Sequence, residues 1–156
     1  MNILLVCTGN TCRSPMAEEL LRQALTGRKR TDVTVASAGT GAWDGAPVSE
    51  GAYLVALEHG LDLSSHRARL LTRNDVDRAD LVLTMARHHR ARVEELNGGG
   101  KTFLLGEYAA GGGVGGEVSD PFGSELASYR ETFGELERLI GAVVERLEKE
   151  GEHGRR

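Results

Sequence analysis

Cysteine is scarce in this chain. There are 2 among 156 residues, Cys7 and Cys12, and both fall in one short segment. Neighbours so close cannot staple distant parts of a fold, and in a reducing compartment such a pair is more often reactive than structural. Long apolar runs are also lacking. No stretch approaches the ~18 residues that a membrane span needs. The opening segment Met1–Cys7 has only a short apolar core and no basic leader, which speaks against a signal peptide. A cytoplasmic protein with no membrane partner is expected. An excess of positive charge is missing as well: 19 Lys and Arg stand against 23 Asp and Glu, a net charge of −4. That balance gives no bulk case for nucleic acid as the partner, although it says nothing about a local pocket. Internal repeats and linkers are absent, so the length is read as one domain over 1–149 followed by a charged, fraying tail over 150–156.

What is present alternates between strand and helix. Residues 2–7 form a short apolar run, which suits a strand buried on both faces. Met16, Ala17, Leu20, Leu21, Ala24 and Leu25 then recur at helical spacing, with Pro15 placed as a first helical residue. Val33–Ala38, Asp80–Met85 and Thr102–Leu105 read as further strands, and Ala52–His59 and Arg87–Leu96 as helices. The apolar stripe from Leu126 to Leu147 predicts a long final helix. Strands separated by helices imply an α/β fold, a parallel sheet covered on both sides, with its ligands at the carboxyl ends of the strands.

The segment Cys7-Thr8-Gly9-Asn10-Thr11-Cys12-Arg13-Ser14 lies at such an end. A helix N-terminus and a nearby cation lower a thiol's pKa, so Cys7 is read as a nucleophilic thiolate. The residues after it can curl so that backbone N–H groups surround an anion, and Gly9 and Asn10 tolerate the left-handed backbone this needs. Arg13 offers a planar fork for phosphoryl oxygens. Ser14 is placed to hydrogen-bond the Cys7 sulfur. A metal or other cofactor is not expected: the two cysteines lack further ligands, and His88 and His89 point to different sides of a helix. Asp120 follows a glycine-heavy stretch, Ala109–Gly116, expected to be flexible; it is either an acid on a mobile loop or a turn residue before Pro121. Asp75, Asp77 and Asp80 read as solvated charges, and Arg87, His88, His89, Arg90 and Arg92 as a solvated basic face or a docking surface.

Val6 to Glu18 resembles the active-site segment of the low-molecular-weight protein tyrosine phosphatases. Ser37-Ala38-Gly39-Thr40, His66-Arg67-Ala68-Arg69 and Asp120-Pro121-Phe122-Gly123 are similar to further landmarks of that family, in the same order. The resemblance implies a single-domain three-layer α/β/α sandwich with a four-stranded parallel sheet and the phosphate-binding loop, Thr8 to Ser14, after the first strand. It implies that Cys7 forms a phosphocysteine, that Arg13 holds the oxygens, and that Asp120 protonates the leaving atom and then activates water. It assigns Asn10, Ser14, Ser37 and His66 to a supporting hydrogen-bond network. Related enzymes can form a reversible disulfide between positions equivalent to Cys7 and Cys12; Cys12 is otherwise an inert packing residue. The expected partners are phosphorylated proteins, with phosphate or a similar oxyanion in the loop and the protein acting as a monomer.

The family contains phosphotyrosine and phosphoarginine enzymes. Tyrosine-specific members usually carry an aliphatic residue where this chain has Thr11, and threonine there resembles the protein-arginine phosphatase branch. A hydroxyl at the pocket wall suits a guanidinium, which is rich in N–H donors. Phe122 stands where many tyrosine-specific members have paired tyrosines. Trp43 is either a wall that stacks on a planar group or a loop aromatic packing locally. Phosphoarginine is therefore favoured, with phosphotyrosine as the alternative. A thiol-relay arsenate reductase needs further cysteines after Cys12, and none follows. A phosphocysteine carrier or a phosphoresidue-binding module has no use for Arg13 and Asp120 together with a nucleophile.

Overall fold

The computed structural model describes residues 1–112 and 115–154, without the side chains of 151–154. Its centre is a four-stranded sheet. Strands β1 (Asn2–Cys7), β2 (Thr34–Gly39), β3 (Leu81–Thr84) and β4 (Thr102–Leu104) run parallel in the order β2-β1-β3-β4. In β1 the run Ile3–Cys7 is buried throughout, as its unbroken apolar character requires. Alternate residues feed two cores. Ile3, Leu5 and Cys7 join one, and Leu4 and Val6 the other.

The first core is covered by helices α1 (Arg13–Gly27), α2 (Glu50–Glu58) and α6 (Leu126–Gly154), together with the short α5 (Leu105–Ala109). On α6 the predicted stripe is the buried face: Tyr129, Phe133, Leu136, Ile140, Val143, Val144 and Leu147 all lie in this core. Each such side chain contributes about 1.5–3 kcal/mol when fully buried. The second core lies under α3 (Arg73–Arg78) and α4 (Arg87–Glu95), through Val76 and Val93. These are the three layers expected. Because β2 and β3 flank β1 on opposite sides, the chain reverses its direction of winding at β1, and a crevice opens beyond that strand's carboxyl end.

Several boundaries differ from those read in the sequence. The first helix starts at Arg13, not Pro15, so its N-terminal turn includes part of the loop. Helix α3 was not expected; Thr72 and Asp75 form a reciprocal capping box at its start. Asp75 is thereby engaged, and its carboxylate also lies 3.2 Å from Arg69, so it is not the solvated charge expected. Leu105 begins α5 instead of ending a strand. The glycine-heavy stretch serves close packing as well as turning: a Cβ on Gly115 would stand 2.1 Å from the Gly106 carbonyl carbon. Gly113 and Val114, within that stretch, lie outside the described residues, as do the last two residues of the expected tail. Helix α6 runs to Gly154. Among the described residues no helix is long and apolar enough to cross a membrane.

Candidate active site

Residues 7–14 connect β1 to α1 at the crevice. Cys7 is the last residue of the strand and is buried. Asn10 takes the left-handed conformation, φ 56°, and turns the chain back toward the helix. Its backbone N–H then points to the Cys7 sulfur at 3.3 Å. The floor beneath this curl is Gly39, where a Cβ would lie 2.4 Å from the Thr8 carbonyl oxygen and 2.9 Å from the Asn10 nitrogen. Only glycine lets β2 pass so close under the loop.

Asn10 is fully buried and fully engaged. Its Oδ1 accepts from the Arg69 backbone N–H at 3.0 Å, which fixes the orientation of the amide. Its Nδ2 therefore donates, to Ser14 Oγ at 2.8 Å and to Ser37 Oγ at 2.9 Å. The Ser37 hydroxyl passes its own hydrogen to Glu18. His66 Nε2 lies 2.8 Å from the Asn10 carbonyl oxygen and donates to it. With the Ser14 oxygen accepting from Asn10, the Ser14 hydrogen is free for the Cys7 sulfur, 2.8 Å away. The structure thus brings Asn10, Ser14, Ser37 and His66 together around the loop. Sequence reasoning missed Glu18 and the Arg69 backbone.

Burial pushes the Cys7 thiol above its ordinary value, while hydrogen bonds from Ser14, the Arg13 charge and the Asn10 N–H pull it down without cancelling the rise. The expectation of a thiol lowered outright is corrected here. The lowering groups sit where the sequence put them, but the sulfur is also taken out of water.

Arg13 is buried and spans to the segment before Pro121. Its Nη1 donates to the Val118 carbonyl at 3.0 Å, and its Nη2 lies 3.5 Å from Asp120 Oδ2. Val118 in turn donates its N–H to the Met85 carbonyl at 2.8 Å, and the Glu117 carboxylate accepts the Arg87 N–H at the start of α4 at 2.7 Å. These contacts hold the Asp120 segment against the end of β3. Asp120 Oδ1 also accepts the Phe122 N–H at 3.1 Å, so the turn geometry and the approach to Arg13 coexist.

A cleft of about 300 Å³ opens over Cys7, Thr8, Thr11 and Arg13, with Trp43 and Phe122 as its rim. Both aromatics are largely exposed, 84% and 69%. Asp120 lines an adjoining recess with Thr8, Arg13 and Ser119. A larger cavity, about 560 Å³, lies along β1 and β2 beside Arg67, Arg69 and Arg78 and holds neither Cys7 nor Arg13. Size does not place the chemistry. Cys12 is buried, though it too lines the cleft, with its sulfur 3.1 Å from Ser49 Oγ and 3.8 Å from the Tyr129 hydroxyl, and both cysteines are free thiols. His89 departs from the solvated face expected of it: it is fully buried, 2.7 Å from Thr8 Oγ1. Its position four residues before Val93, on the inward face of α4, is the signal that could have found it.

A thiol and a guanidinium at one cleft, with a carboxylate in the recess that adjoins it, can bind an oxyanion, attack it and move a proton. Fold and site together define a class: parallel α/β proteins with a cysteine-and-arginine loop after the first strand. Residues 2–153 match the family described as low molecular weight phosphotyrosine protein phosphatase, and the chain belongs to that family. It is 39% identical over 147 residues to EpsP of Ralstonia solanacearum, a probable low molecular weight protein-tyrosine-phosphatase, covering 93% of this chain and 94% of that one. It is also 39% identical over 150 residues to a protein-arginine-phosphatase of Geobacillus stearothermophilus, covering 95% and 97%. Among solved structures, a YwlE arginine phosphatase mutant with a phosphorylated active-site serine is similar at TM-score 0.86 and 37% identity, over 96% of this chain and 97% of that one. The chain is a low-molecular-weight protein phosphatase.

Proposed function

We propose that this phosphatase removes phosphate from phosphoarginine in proteins through a phosphocysteine intermediate. In the first step Cys7 loses its proton to water, with Ser14, Arg13 and the Asn10 N–H stabilising the thiolate against the cost of burial. The thiolate attacks phosphorus, an S–P bond forms and the P–N bond breaks. Arg13 and the loop N–H groups hold the phosphoryl oxygens, and Asp120 gives its proton to the departing nitrogen. In the second step water attacks phosphorus, Asp120 takes its proton, and the thiolate leaves toward the Ser14 hydroxyl. The approach of Arg13 to Asp120 at 3.5 Å supports this reading, since it puts the proton carrier beside the oxygen clamp. The relative whose active-site serine carries phosphate supports a covalent intermediate at the equivalent place.

The observation that carries the substrate choice is Thr11. It is half-buried in the wall of the cleft that contains Cys7, which Trp43 and Phe122 also line. A hydroxyl there meets the N–H edge of a guanidinium, whereas an aliphatic side chain meets a phenyl ring. Trp43 and Phe122 stack on either group. The exposed apolar rim is what favours the second reading, phosphotyrosine.

Phosphate release from matched phosphoarginine and phosphotyrosine peptides tests this, in the wild type and in Thr11→Ile. The wild type is expected to prefer phosphoarginine, and the variant to shift toward phosphotyrosine by at least tenfold in the ratio of kcat/KM, roughly one hydrogen bond to a charged group. A wild-type preference for phosphotyrosine would overturn the substrate assignment and leave the phosphatase intact.

A further inference from the structure

His89 is a buried titratable side chain that the proposed reaction does not use. Both of its ring nitrogens are engaged. The Ala86 backbone N–H donates to Nδ1 at 3.0 Å, so Nδ1 carries no hydrogen. Burial, with the His88 and Arg13 charges, holds the pKa at about 3, so the ring is neutral and its one hydrogen sits on Nε2. Nε2 therefore donates to Thr8 Oγ1 at 2.7 Å. The direction of the chain is set: Ala86 to His89, His89 to Thr8, and the Thr8 hydrogen is left for another acceptor.

Thr8 is exposed and borders both the cleft over Cys7 and the recess beside Asp120. Its methyl group faces Gly41, where a Cβ would lie 3.8 Å away. With its oxygen held by His89, the Thr8 hydroxyl keeps its own hydrogen for a group bound in either space, and a donor fixed beforehand stabilises developing charge without reorganising.

We propose that His89 is a positioning residue that makes the Thr8 hydroxyl a donor to the phosphoryl group, beyond the backbone N–H groups and Arg13. This rests on the phosphatase reading above and adds two side chains that reading does not need. A purely structural role is the competitor, because the Nδ1 contact also caps α4.

Two substitutions separate these roles. His89→Gln places an amide nitrogen near the Nε2 position and gives up the acceptor for Ala86. His89→Asn places an amide oxygen near Nδ1 and gives up the donor to Thr8. The assay is hydrolysis of an aryl phosphate, with inorganic phosphate as competitive inhibitor and thermal unfolding recorded alongside. Thr8→Val and His89→Asn are each expected to lower kcat/KM and to raise the phosphate inhibition constant by about tenfold. The double variant is expected to be no worse than either alone. His89→Gln is expected to stay within about twofold of wild type on both readouts while its Tm falls. Thr8→Val, at an exposed position, keeps the test open should His89→Asn fold poorly. The proposal is overturned if Thr8→Val binds phosphate as wild type does, or if His89→Gln is as impaired as His89→Asn. A wild type that neither hydrolyses the aryl phosphate nor binds phosphate would instead sink the phosphatase reading, and this proposal with it.

Discussion

Asn10 and Ser37 are joined by a 2.9 Å hydrogen bond that ties the loop after β1 to the neighbouring strand β2. It is one of five contacts that converge on Asn10, through its amide group, its N–H and its carbonyl. The residue supplies both the left-handed turn and the partners that hold the turn in place. Asn10→Ala removes the amide and strains the backbone at φ 56°. Each buried partner left unsatisfied costs about 1–3 kcal/mol and the strain about 1–2 more. Unfolding in denaturant is expected to show a loss of at least ~3 kcal/mol, with kcat down more than tenfold. Asn10→Gly relieves the strain alone, so its smaller loss measures the amide contacts. Wild-type stability in Asn10→Ala would show that the network does not support the loop.

Gly39 is a second support, acting by absence. A methyl group at this position meets the Thr8 oxygen at 2.4 Å and the Asn10 nitrogen at 2.9 Å, and both are backbone atoms of the loop. Relief requires the loop to move. Gly39→Ala is expected to destabilise by about 1–3 kcal/mol and to reduce kcat/KM far more than that loss of folded protein explains. Gly99→Ala, where the same methyl meets nothing within 4 Å, is the control and is expected to behave as wild type. Equal activity in the two variants would remove Gly39 from the site.

Peroxide is expected to inactivate the enzyme, and added thiol to restore it. Peroxide oxidises the Cys7 thiolate to a sulfenic acid; attack by the Cys12 thiol then forms the S–S bond and releases water. Cys12 must first leave Ser49, 3.1 Å away, which a buried sulfur inside a loop can do only if the loop flexes. The expected outcome is full recovery for wild type and poor recovery for Cys12→Ser, where Cys7 oxidises further. Equal recovery would make Cys12 a packing residue.

The loop after β1 was legible in the sequence as a local feature because its parts are contiguous: Cys7, the turn at Asn10 and Arg13 fall within seven residues. The sheet was legible for a similar reason, since strands buried on both faces read as unbroken apolar runs. The Thr8–His89 contact joins residues 81 apart, and His89 sits inside a run of basic residues that reads as solvent-facing. Only its helical spacing from Val93 betrays the inward face. Helices α3 and α5, of six and five residues, are too short to show a period, although the Thr72–Asp75 spacing is a capping signature. Trp43 illustrates the other limit. An aromatic 84% exposed on a loop acquires meaning only when the fold brings it to the same cleft as Cys7 and Phe122.

The same buried histidine gives stability a dependence on acid. His89 is neutral in the fold down to pH about 3, whereas its ordinary value is 6.5. Burial is the first cause, followed by the His88 and Arg13 charges beside it, with His88 stacked obliquely at 4.0 Å between ring centroids. Between these two values the unfolded chain binds a proton at this position and the folded chain does not. Stability from this source is therefore fully present above pH 6.5 and falls as the pH drops toward 3, by up to about 1.4 kcal/mol per pH unit. His89→Gln cannot take up that proton. Denaturant unfolding between pH 7.5 and pH 4.5 is expected to show the variant less stable at the upper end yet losing less on acidification, so that the two curves converge. Parallel curves would mean that His89 takes up its proton in the folded protein as readily as in the unfolded chain.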